Sequence, residues 1–184
     1  MTPAAAHLIS TWPGPGTGKG SDAACSTSGP PFSEMVMAVI VSGRLVIGGV
    51  DLPYERGLAG HSDADVLSHA VTDALLGAAA QGDIGMHFPD SDPQWKGAGS
   101  LQFLHHAVHL IHIAGFRIVN VDATVILERP KLKDYRADIR KSLAAALGIE
   151  VERVSVKFKT AEKVGPVGEG RSAEAQAVAT IFKA

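Results

Sequence analysis

The segment from residue 60 to residue 85, GHSDADVLSHAVTDALLGAAAQGDIG, holds the side chains of this chain that are most suited to chemistry. It contains two histidines, His61 and His69, which stand eight residues apart. Along one straight helix eight residues rise about 12 Å, so the two histidines cannot bind the same metal ion there. If both are functional, they therefore have different roles.

His69 is the better candidate for a metal ligand. It stands among apolar residues, one helical turn before Asp73. Asp73 could accept a hydrogen bond from one ring nitrogen while the other nitrogen binds a metal ion. The more frequent alternative is a core histidine that hydrogen bonds alone satisfy. The residues by themselves leave both interpretations open.

The patterns around this segment predict the elements that position it. Ser62 is a suitable N-cap for a helix over residues 62–81, with Asp63 and Asp65 in its first turn. Two more helices are predicted over residues 101–115 and 133–148, the latter ending at Gly148. Strands are predicted over residues 35–43, 44–50, 116–128, 153–160 and 174–184, with a Ser-Gly turn between the first two. Strands interleaved with helices predict a single sheet covered by helices.

The composition excludes several classes of protein. The 184 residues suffice for one domain with a core, and a net charge of −2 without a basic stripe argues against a nucleic-acid partner. No apolar run reaches the roughly 18 residues of a membrane span, so we expect no membrane partner.

Residues 1–34 are rich in Gly, Pro, Ser, Thr and Ala, which predicts either an unstructured leader or a transit peptide. Their PGPGTGKGS stretch departs from the phosphate-loop pattern, because Gly20 follows Lys19.

Several long motifs carry a family resemblance. LVIGGVDLPYERGLAGHSDADVLSHAVTDALLGAAAQGDIGMHFPDSDPQWKGAGS, GFRIVNVDATVILERPKLKDY, VSVKFKTAEKVG and GEGRSAEA stand in order between about Leu45 and the C-terminus. Together they resemble the 2-C-methyl-D-erythritol 2,4-cyclodiphosphate synthase family of non-mevalonate isoprenoid synthesis. The resemblance implies an α/β (α+β) sandwich over residues 35–184, with one mixed sheet covered by helices on one face. It also implies a homotrimer with sites between subunits. The motifs DPQWKGA and EKVGPVGEGRS resemble plastid members more than bacterial ones, which predicts a plastid location, with a soluble cytoplasmic protein as the alternative.

The resemblance implies a lyase reaction. In 4-diphosphocytidyl-2-C-methyl-D-erythritol 2-phosphate, the 2-phosphate attacks the β-phosphorus of the same molecule, and CMP leaves. The reaction needs no protein nucleophile, so catalysis depends on positioning and on neutralising phosphate charge. In the family, an Asp and two His hold a zinc-type ion, and a second ion, commonly magnesium (or manganese), bridges the diphosphate.

The resemblance also implies roles for individual residues. His69 matches a zinc ligand of the family, and Glu162 matches the ligand of the second ion. Thr160 matches the residue that stabilises the transition state, and His61 and Ser62 match the residues that orient the phosphates. The loop over the methylerythritol unit matches Asp83, Ile84, Gly85, Phe88, Pro89, Asp90, Ser91 and Asp92. The loop around the cytosine matches Leu127, Glu128, Arg129, Pro130, Lys131, Leu132 and Lys133. The segment beside the diphosphate matches Lys159, Thr160, Ala161 and Glu162.

The first strand departs from the family pattern. The two other zinc ligands of the family belong to a Gly-x-Gly-x-Asp-x-His strand, whereas this chain has neither Asp nor His between Phe32 and Arg44. Two of three ligands are therefore missing. An active synthase and a non-catalytic trimer that keeps the cytidine pocket are both compatible with this sequence. An incorrect gene model, an alternative first exon and an inactive variant would each explain the departure.

A row of histidines marks the second predicted helix. His105, His109 and His112 follow i, i+4, i+7 spacing, and two His at i, i+4 can bind a metal ion. Leu104 and Ile111 belong to the apolar stripe of this helix, which the row flanks. We therefore predict a partly exposed helix face here, with a His-rich metal-binding module as the weaker alternative.

Overall fold

The computed structural model describes residues 32–184, which form a curled sheet with helices on one side. The five strands of the main sheet are β1 (Phe32–Ser42), β4 (Arg56–Leu58), β5 (Phe116–Ile126), β6 (Val154–Lys159) and β7 (Ser172–Lys183). Two short strands, β2 (Leu45–Ile47) and β3 (Val50–Leu52), form a separate hairpin. The helices are α1 (Val66–Ala78), α2 (Ile84–His87), α3 (Ser100–Ile113), α4 (Arg136–Leu147) and α5 (Gly165–Gly168), and short 3₁₀ turns cover Pro93–Trp95, Lys133–Tyr135 and Val151–Arg153.

The main sheet is mixed, as predicted. Its strand order is β4-β1-β7-β5-β6, and β5 and β6 are its parallel pair. Helix α1 packs on β7 and β1, α3 on β5, and α4 on β6. Alternate residues of β7 face these helices as buried alanines. Because alanine is small, α1 approaches the sheet closely along the row Ala173, Ala175, Ala177 and Ala179.

Asp65, and not Ser62 as predicted, is the N-cap of α1. Its carboxylate is fully buried and accepts hydrogen bonds from the Leu67 and Ser68 backbone N–H groups, each at 3.1 Å. It also accepts from the N–H groups of Gly48 at 2.8 Å and Gly49 at 2.7 Å. One side chain therefore caps the helix and fixes the β2–β3 hairpin against it.

The two glycines of this hairpin are required by their conformation and by their surroundings. Gly48 has φ +59° and Gly49 has φ +75°, values that favour glycine. A Cβ atom at Gly48 would lie 2.7 Å from Ile139, and one at Gly49 would lie 2.4 Å from Leu101. The Gly-Gly turn therefore lets the carboxylate of Asp65 approach the backbone directly.

The two strands predicted over residues 35–43 and 44–50 are present as β1 and β2, but they do not pair with each other. Strand β1 pairs with β7 and β4, whereas β2 pairs with β3. The other predicted helices and strands are confirmed with shifts of a few residues, and Gly148 adopts φ +66° at the end of α4. The segments that the sequence did not indicate are short: β3, β4, α2, α5 and the 3₁₀ turns.

Most of the predicted leader and its PGPGTGKGS stretch lie outside the described residues, and β1 already includes residues 32–34. No helix in residues 32–184 is both long enough and apolar enough to cross a bilayer.

Candidate active site

The first candidate site is a cavity of about 360 Å³ between α1, α2 and α3. It is lined by His61, Ser62, His69, Ile84, Gly85, Phe88, Pro89, Asp90, Trp95 and Phe103. The predicted loop over the methylerythritol unit thus supplies five lining residues. His61 and His69 both line this cavity although they are eight residues apart in the sequence. They can do so because α1 begins only at Val66, so His61 belongs to the loop that precedes the helix.

His69 is held by hydroxyl groups and not by Asp73. Its Nε2 atom lies 2.9 Å from Ser100 Oγ and 3.1 Å from Ser62 Oγ. The Ser100 hydroxyl in turn donates to Asp63, which also accepts from the Ser100 N–H at 3.1 Å. Asp73 instead accepts a hydrogen bond from the Ile84 N–H at 2.7 Å, so the expected pairing with His69 was wrong.

Burial governs the charge of His69. It lowers the pKa of the imidazole, and the negative charge of Asp63 opposes this lowering. A neutral imidazole keeps one nitrogen lone pair free for a ligand or a proton. His69 is therefore suited to accept a proton or a metal ion from the cavity.

An aromatic cluster forms the outer wall of this cavity. The ring centroid of Phe88 lies 4.4 Å from that of Phe103 and 5.1 Å from that of Trp95, and the Phe103 ring lies 5.8 Å from the His69 ring. Sequence reasoning missed Trp95 and Phe103. The aromatic residues at the end of the polar loop and on the apolar stripe of α3 were the available signal.

Three residues of the predicted methylerythritol loop, Asp83, Ser91 and Asp92, do not line the cavity. Asp83 caps α2 by accepting from the Met86 N–H at 2.9 Å, and Asp92 caps the turn at Pro93 by accepting from the Gln94 N–H at 3.0 Å. The Asp92 carbonyl oxygen lies 3.3 Å from His61 Nε2. Ser91 lies next to Asp92 in an exposed position.

The second candidate site is a cavity of about 370 Å³ where β5 and β6 end and α4 begins. It is lined by Leu127, Lys131, Leu132, Lys133, Arg136, Phe158, Lys159, Thr160 and Glu162. Two segments that are about 30 residues apart in the sequence meet here, because β5 and β6 are parallel neighbours and both end at this edge. Four cationic side chains make the cavity suitable for a phosphate group.

Two lining residues, Arg136 and Phe158, were not predicted. The Arg136 guanidinium lies 5.0 Å from the centroid of the Phe158 ring and donates to the Val156 carbonyl at 2.9 Å. The cation is thus held at the cavity by the strand behind it. A basic residue at the start of the third predicted helix was the available signal.

Thr160 and Glu162 sit on a tight turn after β6. The Thr160 hydroxyl donates to the Glu162 carboxylate. Glu162 and Lys163 have φ values of +50° and +64°, which cost free energy for residues other than glycine. This strained turn directs both functional groups to one cavity.

Not every residue of the two predicted segments lines the second cavity. Glu128 and Arg129 line a third cavity, of about 150 Å³, together with Arg56 and Glu169. Pro130 and Ala161 lie in the two segments without lining the second cavity.

The residues around His69 do not fit the three-ligand zinc site that the resemblance implies. On β1, Val36, Ala38 and Ile40 face the core, and Met35, Met37 and Val39 face outward. Among residues 32–184, no three His, Cys, Asp or Glu side chains are grouped closely enough to hold a metal ion. In the second cavity, the single carboxylate of Glu162 fits the chemistry of magnesium, which commonly uses one or two carboxylates together with substrate phosphates.

Comparisons with known proteins identify the class to which this fold and these cavities belong. The family model described as the YgbB family matches residues 35–182. A 2-C-methyl-D-erythritol 2,4-cyclodiphosphate synthase of Solibacter usitatus is 69% identical over 145 residues, which are 78% of this chain and 91% of the relative.

Solved structures agree with this class. The bifunctional IspDF of Campylobacter jejuni superposes with a TM-score of 0.81 at 34% identity, over 84% of this chain and 42% of that one. An IspF of Plasmodium falciparum, in complex with CDP, superposes with a TM-score of 0.73 at 32% identity, over 82% of this chain and 94% of that one. The chain therefore belongs to the YgbB family of 2-C-methyl-D-erythritol 2,4-cyclodiphosphate synthases, which confirms the resemblance and the fold class.

Proposed function

We propose that this chain converts 4-diphosphocytidyl-2-C-methyl-D-erythritol 2-phosphate to 2-C-methyl-D-erythritol 2,4-cyclodiphosphate and CMP, as a lyase of isoprenoid synthesis. The observation that carries this proposal is the grouping of the residues that match the family. Most of the matched residues between positions 61 and 90 line one cavity, and most of those between positions 127 and 162 line the other. The names of the relatives and their complexes with CDP support the same reaction.

The second cavity suits the cytidine diphosphate end of the substrate. Lys131, Lys133, Arg136 and Lys159 surround it with positive charge, which would stabilise the leaving CMP. When Glu162 binds a metal ion, the Thr160 hydroxyl becomes free to donate to the phosphate that is attacked. Glu162 would hold a magnesium or manganese ion, which supplies charge neutralisation across the diphosphate.

The first cavity suits the methylerythritol 2-phosphate end. His61 and Ser62 present hydrogen-bonding groups where a phosphate could be oriented, and Phe88 offers an apolar wall to the methylerythritol carbon skeleton.

In the proposed reaction, an oxygen of the 2-phosphate forms a bond to the β-phosphorus. The bond from that phosphorus to the oxygen that bridges the α-phosphorus breaks, and CMP leaves with the electron pair. No step of this proposal passes through a zinc ion, because the residues around His69 do not fit one.

A homotrimer with sites between subunits would join the two cavities. They have no lining residue in common within one chain. The open face of β1 carries Met35, Met37 and Val39, which are 60%, 58% and 60% exposed. Such an apolar row on one strand favours burial against another copy of the chain. We propose that three open sheet faces meet in this way.

The rival is a catalytically impaired homologue that keeps the trimer and the cytidine pocket. The incomplete ligand set around His69 is the feature that supports it, whereas the close identity to named synthases favours the active enzyme. A CMP-release assay on the purified chain separates the two proposals. The active enzyme releases CMP, and Thr160→Val lowers the rate by roughly 10-fold or more while the matched Thr180→Val variant on β7 does not. Binding of CDP without CMP release would support the rival.

The plastid location is a proposal that rests on the resemblance of DPQWKGA and EKVGPVGEGRS to plastid members. The predicted leader lies mostly outside the described residues, and the relative from Solibacter usitatus is bacterial. A fusion of residues 1–34 to a fluorescent protein tests it, since a transit peptide would direct the fusion into plastids.

A further inference from the structure

Two histidines outside both candidate cavities face each other across the junction of α2 and α3. The ring centroids of His87 and His106 lie 6.0 Å apart, with 55° between the ring planes. His87 is half-buried, and His106 is exposed to solvent. Neither residue belongs to the ligand set that the family resemblance implies, and neither lines the proposed reaction site.

The hydrogen bonding of His87 prepares one of its nitrogens for a ligand. Its Nε2 atom lies 2.8 Å from the Gln81 carbonyl oxygen, which can only accept, so Nε2 carries a proton and donates. In the neutral ring Nδ1 then holds a free lone pair. Histidines that bind metal ions commonly donate their other ring N–H to a backbone carbonyl in this way.

We propose that His87, through Nδ1, and His106 together bind a divalent transition-metal ion whose remaining ligands are water. Metal–nitrogen bonds of about 2.0–2.1 Å place two imidazole centroids on one ion roughly 5–6 Å apart, which is close to the observed separation. Imidazole suits Zn²⁺, Ni²⁺ and Cu²⁺.

The position of this pair gives the ion a structural consequence. The His106 ring lies 5.2 Å from the ring of Phe88 in an edge-to-face arrangement. Phe88 is the next residue after His87 in the sequence, and it lines the first cavity. An ion between His87 and His106 would tie α2 to α3. It would therefore restrict the movement of Phe88 against Phe103 and Trp95.

The main rival site lies on α3 itself. His105 and His109 stand at i, i+4 on the exposed side of this helix, as predicted from the sequence. That spacing also permits a metal ion. The two sites are distinguished by His87, which only the proposed site uses, and by His105, which only the rival uses.

Calorimetric titration with Ni²⁺ in a non-coordinating buffer tests the proposal. His87→Gln and His106→Gln should each weaken the site by at least about tenfold, and the double variant should be little worse than either. His105→Gln and His112→Gln should stay within about twofold of the wild type. Circular dichroism checks that each variant is folded, and the exposed position of His106 makes its variant the safer of the two.

The fluorescence of Trp95, which lines the first cavity, gives a second measure of metal binding near that cavity. The chain has two tryptophans, so a Trp12→Phe background leaves Trp95 as the reporter. Cu²⁺ should quench its fluorescence, and His106→Gln should remove this quenching. Equal loss of binding in His105→Gln would assign the ion to α3, and equal loss in His69→Gln would assign it to the candidate active site. Either result overturns the proposal, as does an affinity that His87→Gln and His106→Gln leave unchanged.

Discussion

The Nε2 atom of His69 lies 2.9 Å from the Oγ atom of Ser100, whose own hydroxyl proton is donated to Asp63. A serine hydroxyl has one proton, so Ser100 must accept a hydrogen bond from His69. In neutral His69 the proton therefore resides on Nε2, and Nδ1 keeps the free lone pair. The chain Asp63–Ser100–His69 thus fixes which nitrogen of the imidazole carries the proton.

Replacing Ser100 should change the tautomer of His69. In Ser100→Ala the accepting hydroxyl is lost, and Ser62 becomes free to donate to Nε2, so the form with the proton on Nδ1 should increase. Nitrogen NMR of the imidazole rings measures this change. Ser172→Ala is the matched control, because its buried hydroxyl has no hydrogen-bond partner among the described residues. An unchanged tautomer in Ser100→Ala would contradict the assignment.

Loss of the Asp65 carboxylate should destabilise the fold strongly. Asp65→Ala leaves the helix cap and the N–H groups of Gly48 and Gly49 without their acceptor, so we expect about 3 kcal/mol or more in the free energy of unfolding. Asp51→Ala is the control. Asp51 forms an exposed ion pair with Arg44 at 2.8 Å, which contributes about 1 kcal/mol at most. Urea unfolding of the two variants measures the difference, and equal midpoints would refute the role of Asp65.

Reversing the charge of Lys131 should weaken nucleotide binding. Lys131→Glu places a carboxylate at the second cavity, and a charge reversal near phosphate costs about 1 kcal/mol or more even in a high dielectric. The affinity for CDP should fall roughly tenfold in calorimetry. Lys183→Glu at the end of β7 changes the net charge equally and should leave the affinity unaltered. Equal affinities of both variants would count against the cytidine assignment of this cavity.

Placing a charge on the open sheet face should disrupt the proposed trimer. Met37→Glu would put a carboxylate into an apolar interface, whereas Ile113→Glu alters a residue on α3 that is 72% exposed. Light scattering of the wild type and of Ile113→Glu should give three chains per particle, and Met37→Glu should give a lower mass. A wild-type chain that stays monomeric at micromolar concentration would refute the trimer.

The composition of β1 predicts poor zinc retention at His69. Of the three zinc ligands that the family resemblance implies, only His69 has a counterpart in this chain, and tetrahedral zinc sites in enzymes use three protein ligands. Elemental analysis should therefore find well under one zinc per chain. Replacing residues 32–43 by the first strand of the Solibacter usitatus relative should raise the zinc content to about one. If the unaltered chain holds one zinc that His69→Ala removes, another residue completes the site and the interpretation of β1 is wrong.

The sequence predicted those parts of the fold that follow from local patterns. The apolar stripe of α3, the left-handed Gly148 at the end of α4 and the alternation of β5 and β7 are set by neighbouring residues. The pairing of β1 was missed because it depends on Ala173 to Ala179 of β7, about 140 residues away. A local pattern cannot indicate which distant strand completes a hydrogen-bonded ladder.

The candidate residues for chemistry could also be read directly from the sequence. They are the two histidines of residues 60–85 and the KTAE and LERPKLK segments, and the first strand has neither Asp nor His. How these residues are combined depends on the folded chain. It paired His69 with Ser100 and not with Asp73, made Asp65 the helix cap, and added Trp95, Phe103, Arg136 and Phe158 to the cavities. Side-chain hydrogen bonds and cavity walls form between elements that the packing of the sheet and helices brings together, and spacing along the chain does not encode those contacts.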